Sequence, residues 1–521
     1  MKTFYGTALK PAFFLIFFIL LAAGGIGAEP VKPYFTDTGQ FSFARFLERE
    51  GELKAAAREY GRLIEKFPSS ALIADAQFRQ ATAYLNAGLF HEAERSYRLF
   101  IENFKFSPFR GMAEKAMAEA HKRYIEKKLP VVVLDRQGPA LKKKGIGIRA
   151  VQVALFDGAS PADIGVELRA LKEAGVDTVI VRVFQNPGDR FYRSAEGRKA
   201  SGVYFRTREA PVIKDLLQGF VRLAHDNGLK IFAWMTTRYA DYGIDDESDL
   251  ACKGYDLRSG KNFLCKGLDL FNERAIERLE ALFSDLADYD IDGILLQDDL
   301  ILKHNEGFGP YASALFKKDT GHDIDPTRFY TQSERGAAVD YTPLFWQWAS
   351  WKNKRLLKVA GGLKKIVREK NPDVRFAINL MYESVTNPPA ALAWLSQSLA
   401  ASVKTGFDYY SIMAYHRQME RELNKPPGYV MSMIEKMVGD AVSTVGEPEK
   451  VLVKFQTVDW RTGRPLADDE MAGLLKGVAL PDGVSVALVP YRANLPVKIF
   501  SGKKGRLAAV EFKENRPAQG Y

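Results

Sequence analysis

Cysteine is almost absent from this chain: only Cys252 and Cys265 occur in 521 residues. That excludes a metal cluster built on thiolates and leaves at most one short disulfide loop, open until the two Cα atoms are shown to lie within bonding range. Histidine is nearly as scarce, with six in all. None shows the H-x-x-x-H or H-x-H spacing that sets two imidazoles on one metal, so no metal and no cofactor is expected. A G-x-G-x-x-G fingerprint is missing, as is a G-x-S-x-G nucleophile elbow. The net charge of +10 is spread along the chain without an arginine-rich block. It reads as solvated surface, and no nucleic-acid partner is expected.

Long apolar runs are confined to the N-terminus. Lys2 and Lys10 precede an apolar stretch from Pro11 to Ala23, and the small residues Ala23-Gly-Gly-Ile-Gly-Ala28 follow. This is the pattern of a secretory signal peptide over residues 1–28, cleaved after Ala28. The alternative, an uncleaved anchor, needs about 20 apolar residues, more than the run supplies. No cysteine follows to carry a lipid. The expected location is periplasmic or secreted, with no transmembrane span after cleavage, in a compartment where the cysteine pair could close.

Residues 37–127 carry a helical pattern that repeats. Gly51, Ala56, Tyr60, Leu63, Ile64 and Phe67 are answered by Gly88, Ala93, Tyr97, Phe100, Ile101 and Phe104, an offset of 37. A small residue at a helix contact, an aromatic one turn on and a closing Phe before Pro68 or Pro108 resemble the tetratricopeptide hairpin, which buries its apolar face by stacking on neighbours. Such an array either docks a protein partner or serves as a spacer. Residues 128–146, with Gln137-Gly-Pro139 and Lys142 to Lys144, read as a linker, and residues 501–521 as a basic tail.

Between 147 and 500 the grammar changes to β-branched runs alternating with amphipathic segments. The strands expected are Ile148 to Leu155, Thr178 to Phe184, Lys230 to Met235, Gly293 to Asp298, Arg375 to Leu380, Tyr409 to Ala414, Val451 to Gln456 and Ser485 to Val489. Helices are expected over Pro161 to Ala174, Pro211 to Asn227, Arg274 to Ala287, Trp346 to Lys370, Ala390 to Val403 and Asp468 to Gly477. Eight such units predict an α/β chain: a (β/α)8 TIM barrel preceded by a small all-α tetratricopeptide-like domain. A doubly wound open sheet is the structural alternative.

Barrel chemistry sits where the strands end. Those positions here are polar or aromatic: Arg182, Trp234, Gln297-Asp298-Asp299, Asn379 with Tyr382-Glu383, Tyr415-His416, Asp459-Trp460 and Tyr491. Carboxylates that act as acid and base or nucleophile, beside flat aromatics that stack on sugar faces, are what glycoside cleavage needs. Asp298 and Asp299 close an apolar strand and are costly there unless used or satisfied. The bland alternative is an aspartate capping the next segment. Strand alternation makes Asp299 share the direction of Gln297 unless the strand has already ended, with Glu383 supplying the second acid from another strand. A metal held by the aspartates with His304 or His416 is a weaker reading.

Several of these runs resemble one family in order along the chain: Phe232-Ala-Trp-Met235, Ile291-Asp-Gly-Ile-Leu-Leu-Gln-Asp-Asp299, Asn379 with Tyr382-Glu383, Met413-Ala-Tyr415 and Phe455-Gln-Thr-Val-Asp-Trp460. They are similar to the C-terminal glycoside hydrolase domain of PgaB-type proteins that process poly-β-1,6-N-acetylglucosamine in biofilm export. The resemblance covers about two thirds of the chain. It implies a barrel that binds and cleaves the partially de-N-acetylated polymer, with catalytic carboxylate at Asp298 and Asp299. Arg182, Trp234, Gln297, Asn379, Tyr415, Asp459, Trp460 and Tyr491 are the expected substrate contacts. Two departures stand out. Gln297 occupies the position where the family usually carries His. A tetratricopeptide-like segment replaces the fused deacetylase domain, so N-deacetylation is not expected. The alternative function is a non-catalytic carbohydrate-binding scaffold in an export complex.

Overall fold

The computed structural model describes residues 36–128, 147–195, 201–245, 248–256, 259–332, 338–493, 495 and 500. The expected signal segment, most of the expected linker and the basic tail lie outside them. Among the described residues no helix is long and apolar enough to cross a membrane.

Eight parallel strands close into a barrel: β1 (Arg149–Val153), β2 (Thr178–Arg182), β3 (Lys230–Met235), β4 (Gly293–Leu296), β5 (Arg375–Met381), β6 (Tyr409–Met413), β7 (Val451–Gln456) and β8 (Ser485–Val489). Pairing runs in sequence order, and β1 against β8 seals the cylinder with Arg149 opposite Val486. An open sheet is thereby ruled out. The runs are apolar without alternation because helices cover the outer face while side chains fill the lumen. The lumen is packed. The Phe232 and Tyr409 rings meet at 5.9 Å, and a Cβ added at Gly293 would fall 2.7 Å from the Phe232 ring, so this site admits only glycine.

Two of the expected helices differ. The segment expected from Pro211 begins as helix only at Leu217. Before that the chain is held extended, with Val203 N donating to Pro211 O and Ile213 N to Val203 O. The segment from Ala390 splits into Pro388–Leu395 and Leu399–Thr405. Ser396 turns left-handed at φ 50° and Ser398 caps the second helix. A hairpin, Ala251–Asp256 with Lys261–Leu268, was not anticipated. It brings the Cys252 and Cys265 Cα atoms to 5.2 Å, and the two are disulfide-bonded.

Helices α1 (Asp37–Arg49), α2 (Leu53–Lys66), α3 (Ile73–Asn86), α4 (Phe90–Asn103) and α5 (Arg110–Lys128) form the N-terminal array. The repeat maps onto α2 and α4. Ala56, Tyr60 and Leu63 of α2 and Ala93, Tyr97 and Phe100 of α4 are buried at equivalent places, and Phe67 and Phe104 end their helices in the same way. The Tyr60 hydroxyl donates to Glu48 at 2.7 Å and the Tyr97 hydroxyl bonds Thr82 at 2.9 Å. The first hairpin packs on the barrel's outer helices. Phe43 lies 4.8 Å from Trp346, Arg62 donates to Val385 O at 2.5 Å, and Lys354 pairs with Glu50 at 2.7 Å. The exposed ion pairs add little, so buried Phe43, Phe46 and Trp346 carry this junction.

Candidate active site

All four residues of β4 are buried. Its ladder stops at Leu296 opposite Met235, Gln297 N donates to Met235 O at 2.8 Å, and the chain then turns through Asp298 and Asp299. The strand therefore ends three residues before Asp299, which removes the basis for expecting that residue to share the direction of Gln297.

The two carboxyl groups meet different surroundings. Asp299 is 2% exposed. Its oxygens accept from Thr236 Oγ1 at 2.6 Å, Thr237 Oγ1 at 2.7 Å, Thr237 N at 2.9 and 3.0 Å, and Tyr239 N at 2.7 Å. Four donors from the turn after β3 converge on it, the geometry that satisfies a buried carboxylate. Arg238 in the same turn is fully buried and pairs with Glu306 at 3.0 Å. Asp299 is thus the anchor of the β3 loop.

Asp298 is half-buried. Desolvation is the main effect and lifts its carboxyl to about 6; the Asp299 charge adds to the rise and the Lys454 ammonium opposes it. Lys454 points into the lumen from β7, 1% exposed. Burial brings it down to about 8 against the pull of Asp298. It donates to Asn379 Oδ1 at 3.1 Å and lies 6.0 Å from the Tyr415 ring centre. Tyr415 in turn packs edge-on against Trp460 at 5.4 Å, and its hydroxyl is raised by burial and then by the Asp298 charge. On the other side of Asp298, Trp234 Nε1 donates to Gln297 Oε1, and Phe184 meets Trp234 edge-on at 5.5 Å. Trp234, Gln297, Asp298, Asn379, Tyr415 and Trp460 therefore form one connected constellation at the strand ends, joined by Lys454.

Lys454 was missed in the sequence, although the signal is visible there. Val451-Leu-Val-Lys454-Phe-Gln456 is a buried strand with one ammonium inside it, and a cation in that position needs a carboxylate partner.

Glu383 belongs to a neighbouring cluster. It follows β5, half-buried, in the field of the Glu422 carboxyl. Burial first and the Glu422 charge second push it up to about 7.

Three expected substrate contacts are engaged elsewhere. Arg182 pairs with Asp189 at 3.1 Å and donates to Arg190 O at 2.6 Å, which fastens the loop after β2. The Tyr491 hydroxyl is raised by burial and then by the Glu167 charge, its backbone N–H donates to Gln152 O at 2.7 Å, and its ring packs on Phe156 at 6.1 Å. Asp459 accepts from Arg421 at 3.3 Å and from Arg461 N at 2.8 Å. The histidines of the metal alternative are not gathered on the aspartates. His416 bonds Glu470 at 2.9 Å, and the His304 ring lies 4.4 Å from that of Trp394.

The Asp298 shift has a stability consequence. Its folded-state value, about 6, lies above the ordinary aspartate value. A raised carboxyl favours the native state only below its unfolded value, and that advantage is lost as pH rises through 6. Asp298→Asn is expected to gain stability relative to wild type between pH 4 and pH 7, by about 1–2 kcal/mol once the loss of charge beside Lys454 is set against it. Urea denaturation at the two pH values measures this, and a gain confined to pH 4 would refute it.

The model of Hypothetical glycosyl hydrolase family 13 (GHL13) matches residues 160–485, more than half of the chain. The chain belongs to this family. The match spans β2 through the start of β8 and every residue of the constellation. No curated protein sequence matches the chain. Among solved structures, the GHL13 barrel is similar to the PgaB (BpsB) glycoside hydrolase domain from Bordetella bronchiseptica, with 22% identity, 66% of this chain and 94% of that one covered, and a TM-score of 0.51. It also aligns with the β-amylase catalytic domain from Paenibacillus polymyxa, at 10% identity, 68% and 95% coverage and a TM-score of 0.43. A catalytic mutant of the GH42 β-galactosidase Gan42B from G. stearothermophilus gives 13% identity, 67% and 52% coverage and a TM-score of 0.47.

Proposed function

We propose that this chain is a periplasmic or secreted glycoside hydrolase that cleaves partially de-N-acetylated poly-β-1,6-N-acetylglucosamine during exopolysaccharide export, with the helical array docking a protein partner of the export machinery. The observation that carries the reading is the contrast between the adjacent aspartates: one is saturated with donors, and the other is half-buried, in the field of the Lys454 ammonium and lifted to about 6. The family supports glycoside hydrolysis, and the sequence resemblance together with the likeness to the PgaB glycoside hydrolase domain supports the substrate.

Glycoside cleavage divides labour between a carboxylate and a carboxylic acid. Where environments separate two carboxyl groups in pKa, the lower one takes the ionised role. Asp298, at about 6 and beside Lys454, is the ionised member at neutral pH, the base or nucleophile. Glu383, pushed up to about 7, is about half protonated at neutral pH and serves as general acid to the leaving oxygen from that form. Trp460, half-buried against Tyr415, offers its ring to the pyranose, while Trp234 and Tyr415 are themselves almost wholly covered. Lys454, held by Asn379, limits the charge on Asp298.

A second reading, a non-catalytic polymer-binding component, is favoured by one observation: Gln297, where the resemblance leads one to expect His, is occupied by Trp234 and cannot exchange a proton. A panel of purified β-1,6-linked amino-sugar polymers and neutral α- and β-glucans separates the two. Chain shortening of the de-N-acetylated polymer alone is expected. Tight binding without shortening supports the second reading, and products from a neutral glucan would move the enzyme to another substrate.

A further inference from the structure

The hairpin that closes the cysteine pair also ties together the two loops around the aspartates. Leu268 N donates to Arg238 O at 2.7 Å, in the turn after β3. Further along, Lys253 O accepts from Gly307 N and Phe308 N, both at 2.9 Å, and Tyr255 N donates to Asn305 O at 2.9 Å, in the loop after β4. The ladder between the two hairpin strands is interrupted midway. Ala251 pairs with Leu268 and Lys253 with Leu264, which leaves Cys252 on one side and Cys265, Lys266 and Gly267 on the other outside the pairing. The disulfide spans this gap. It is therefore the cross-strand link between the part of the hairpin that holds Arg238 and the part that holds Asn305 to Phe308.

The two sulfurs sit in different surroundings. Cys265 is half-buried, whereas Cys252 is 1% exposed. Arg238, itself fully buried, donates from Nη1 to Cys252 Sγ at 3.4 Å and turns Nη2 to Glu306 at 3.0 Å. Thiol exchange is fastest where the attacked sulfur can be reached and the departing sulfur is stabilised as an anion. Here the reachable sulfur belongs to Cys265, and the departing one has a guanidinium against it.

From this geometry we infer that Cys252–Cys265 is a thiol-exchange site through which a thiol reductant governs the active centre. A thiolate of the reductant attacks Cys265 Sγ, the S–S bond breaks, and its electron pair leaves on Cys252 Sγ beside Arg238. A second reductant thiol then displaces Cys265 and closes the reductant's own disulfide, so two electrons and two protons end on the cysteines. With the link open, the loop after β4 is no longer tied through the hairpin to the turn that directs its donors at Asp299, and the neighbouring Asp298 loses its fixed place. The effect on turnover rests on the proposed glycosidase reading; the exchange itself does not.

The test exposes the native full chain to reduced glutathione, followed by an acid quench, alkylation of free thiols and peptide mass spectrometry. A pulse is expected to place glutathione on Cys265 and leave Cys252 to the alkylating agent. Glutathione on Cys252 instead, or a pair still closed at about 10 mM glutathione as an inert structural disulfide would be, overturns the inference. In the reduced protein, with the barrel retained by circular dichroism, amide exchange at Asn305–Phe308 and Thr236–Tyr239 should rise about tenfold. On the de-N-acetylated polymer kcat should fall about tenfold with KM within about twofold, and recover on reoxidation. Unchanged kcat and unchanged amide exchange in fully reduced protein would overturn control of the active centre. Cys252→Ser with Cys265→Ser should match the reduced protein and ignore glutathione. If wild type cleaves no polymer, the glycosidase reading fails, while the position of glutathione and the amide exchange still decide the role of the pair.

Discussion

Asp298→Asn is expected to lower polymer cleavage by about 10³-fold or more while leaving the barrel folded. The amide has the shape of the carboxylate but can neither stabilise an oxocarbenium-like centre with charge nor attack or deprotonate. Asparagine also suits the half-buried site, because the carboxylate it replaces is held there against its desolvation. Lost activity with retained or improved stability is the signature of a group kept for chemistry at some cost to the fold. The loss should fall on kcat, since the half-buried Trp460 still offers its ring to the sugar.

Asp299→Asn should behave in the opposite sense. Thr236, Thr237 and Tyr239 direct four donors at this carboxylate. Asparagine presents two N–H bonds to part of that set, so buried donors confront donors. A cost of about 3 kcal/mol in unfolding free energy is expected, from unsatisfied buried groups and lost charge-assisted bonds. Urea unfolding measures it. Some activity should survive in the folded fraction, reduced through loosening of the Thr236–Tyr239 turn beside Trp234. A stable but inactive Asp299→Asn would exchange the roles of the two aspartates.

The barrel was legible because its signals are local and repeated. Seven of the eight strands have their full extent within the expected bounds or match them to the residue, as with Lys230–Met235, Val451–Gln456 and Ser485–Val489. A strand buried on both faces needs an apolar run, and few other structures of that length do. The helical array was legible for the same reason, since Tyr60 and Tyr97 repeat one packing solution. What escaped depends on non-local contacts. Asp299 was favoured by alternation, but β4 ends at Leu296, and where a strand stops is set by its neighbours' hydrogen bonds. Tyr491 stands at a strand end like Tyr415 and Trp234. Its partner Glu167 lies more than three hundred residues earlier, and nothing local to Tyr491 points to it. The cysteine pair needed the hairpin that aligns it. Lys454 is the case where a stricter reading would have succeeded, because one cation inside an apolar strand is informative without any structure.

The most direct measurement is the chain length of purified, partially de-N-acetylated poly-β-1,6-N-acetylglucosamine after incubation with wild type, Asp298→Asn and Asp299→Asn, each shown to be folded at the assay temperature. The account predicts short oligomers from wild type, residual shortening by Asp299→Asn and intact polymer with Asp298→Asn. Shortening by Asp298→Asn at the wild-type rate would contradict it.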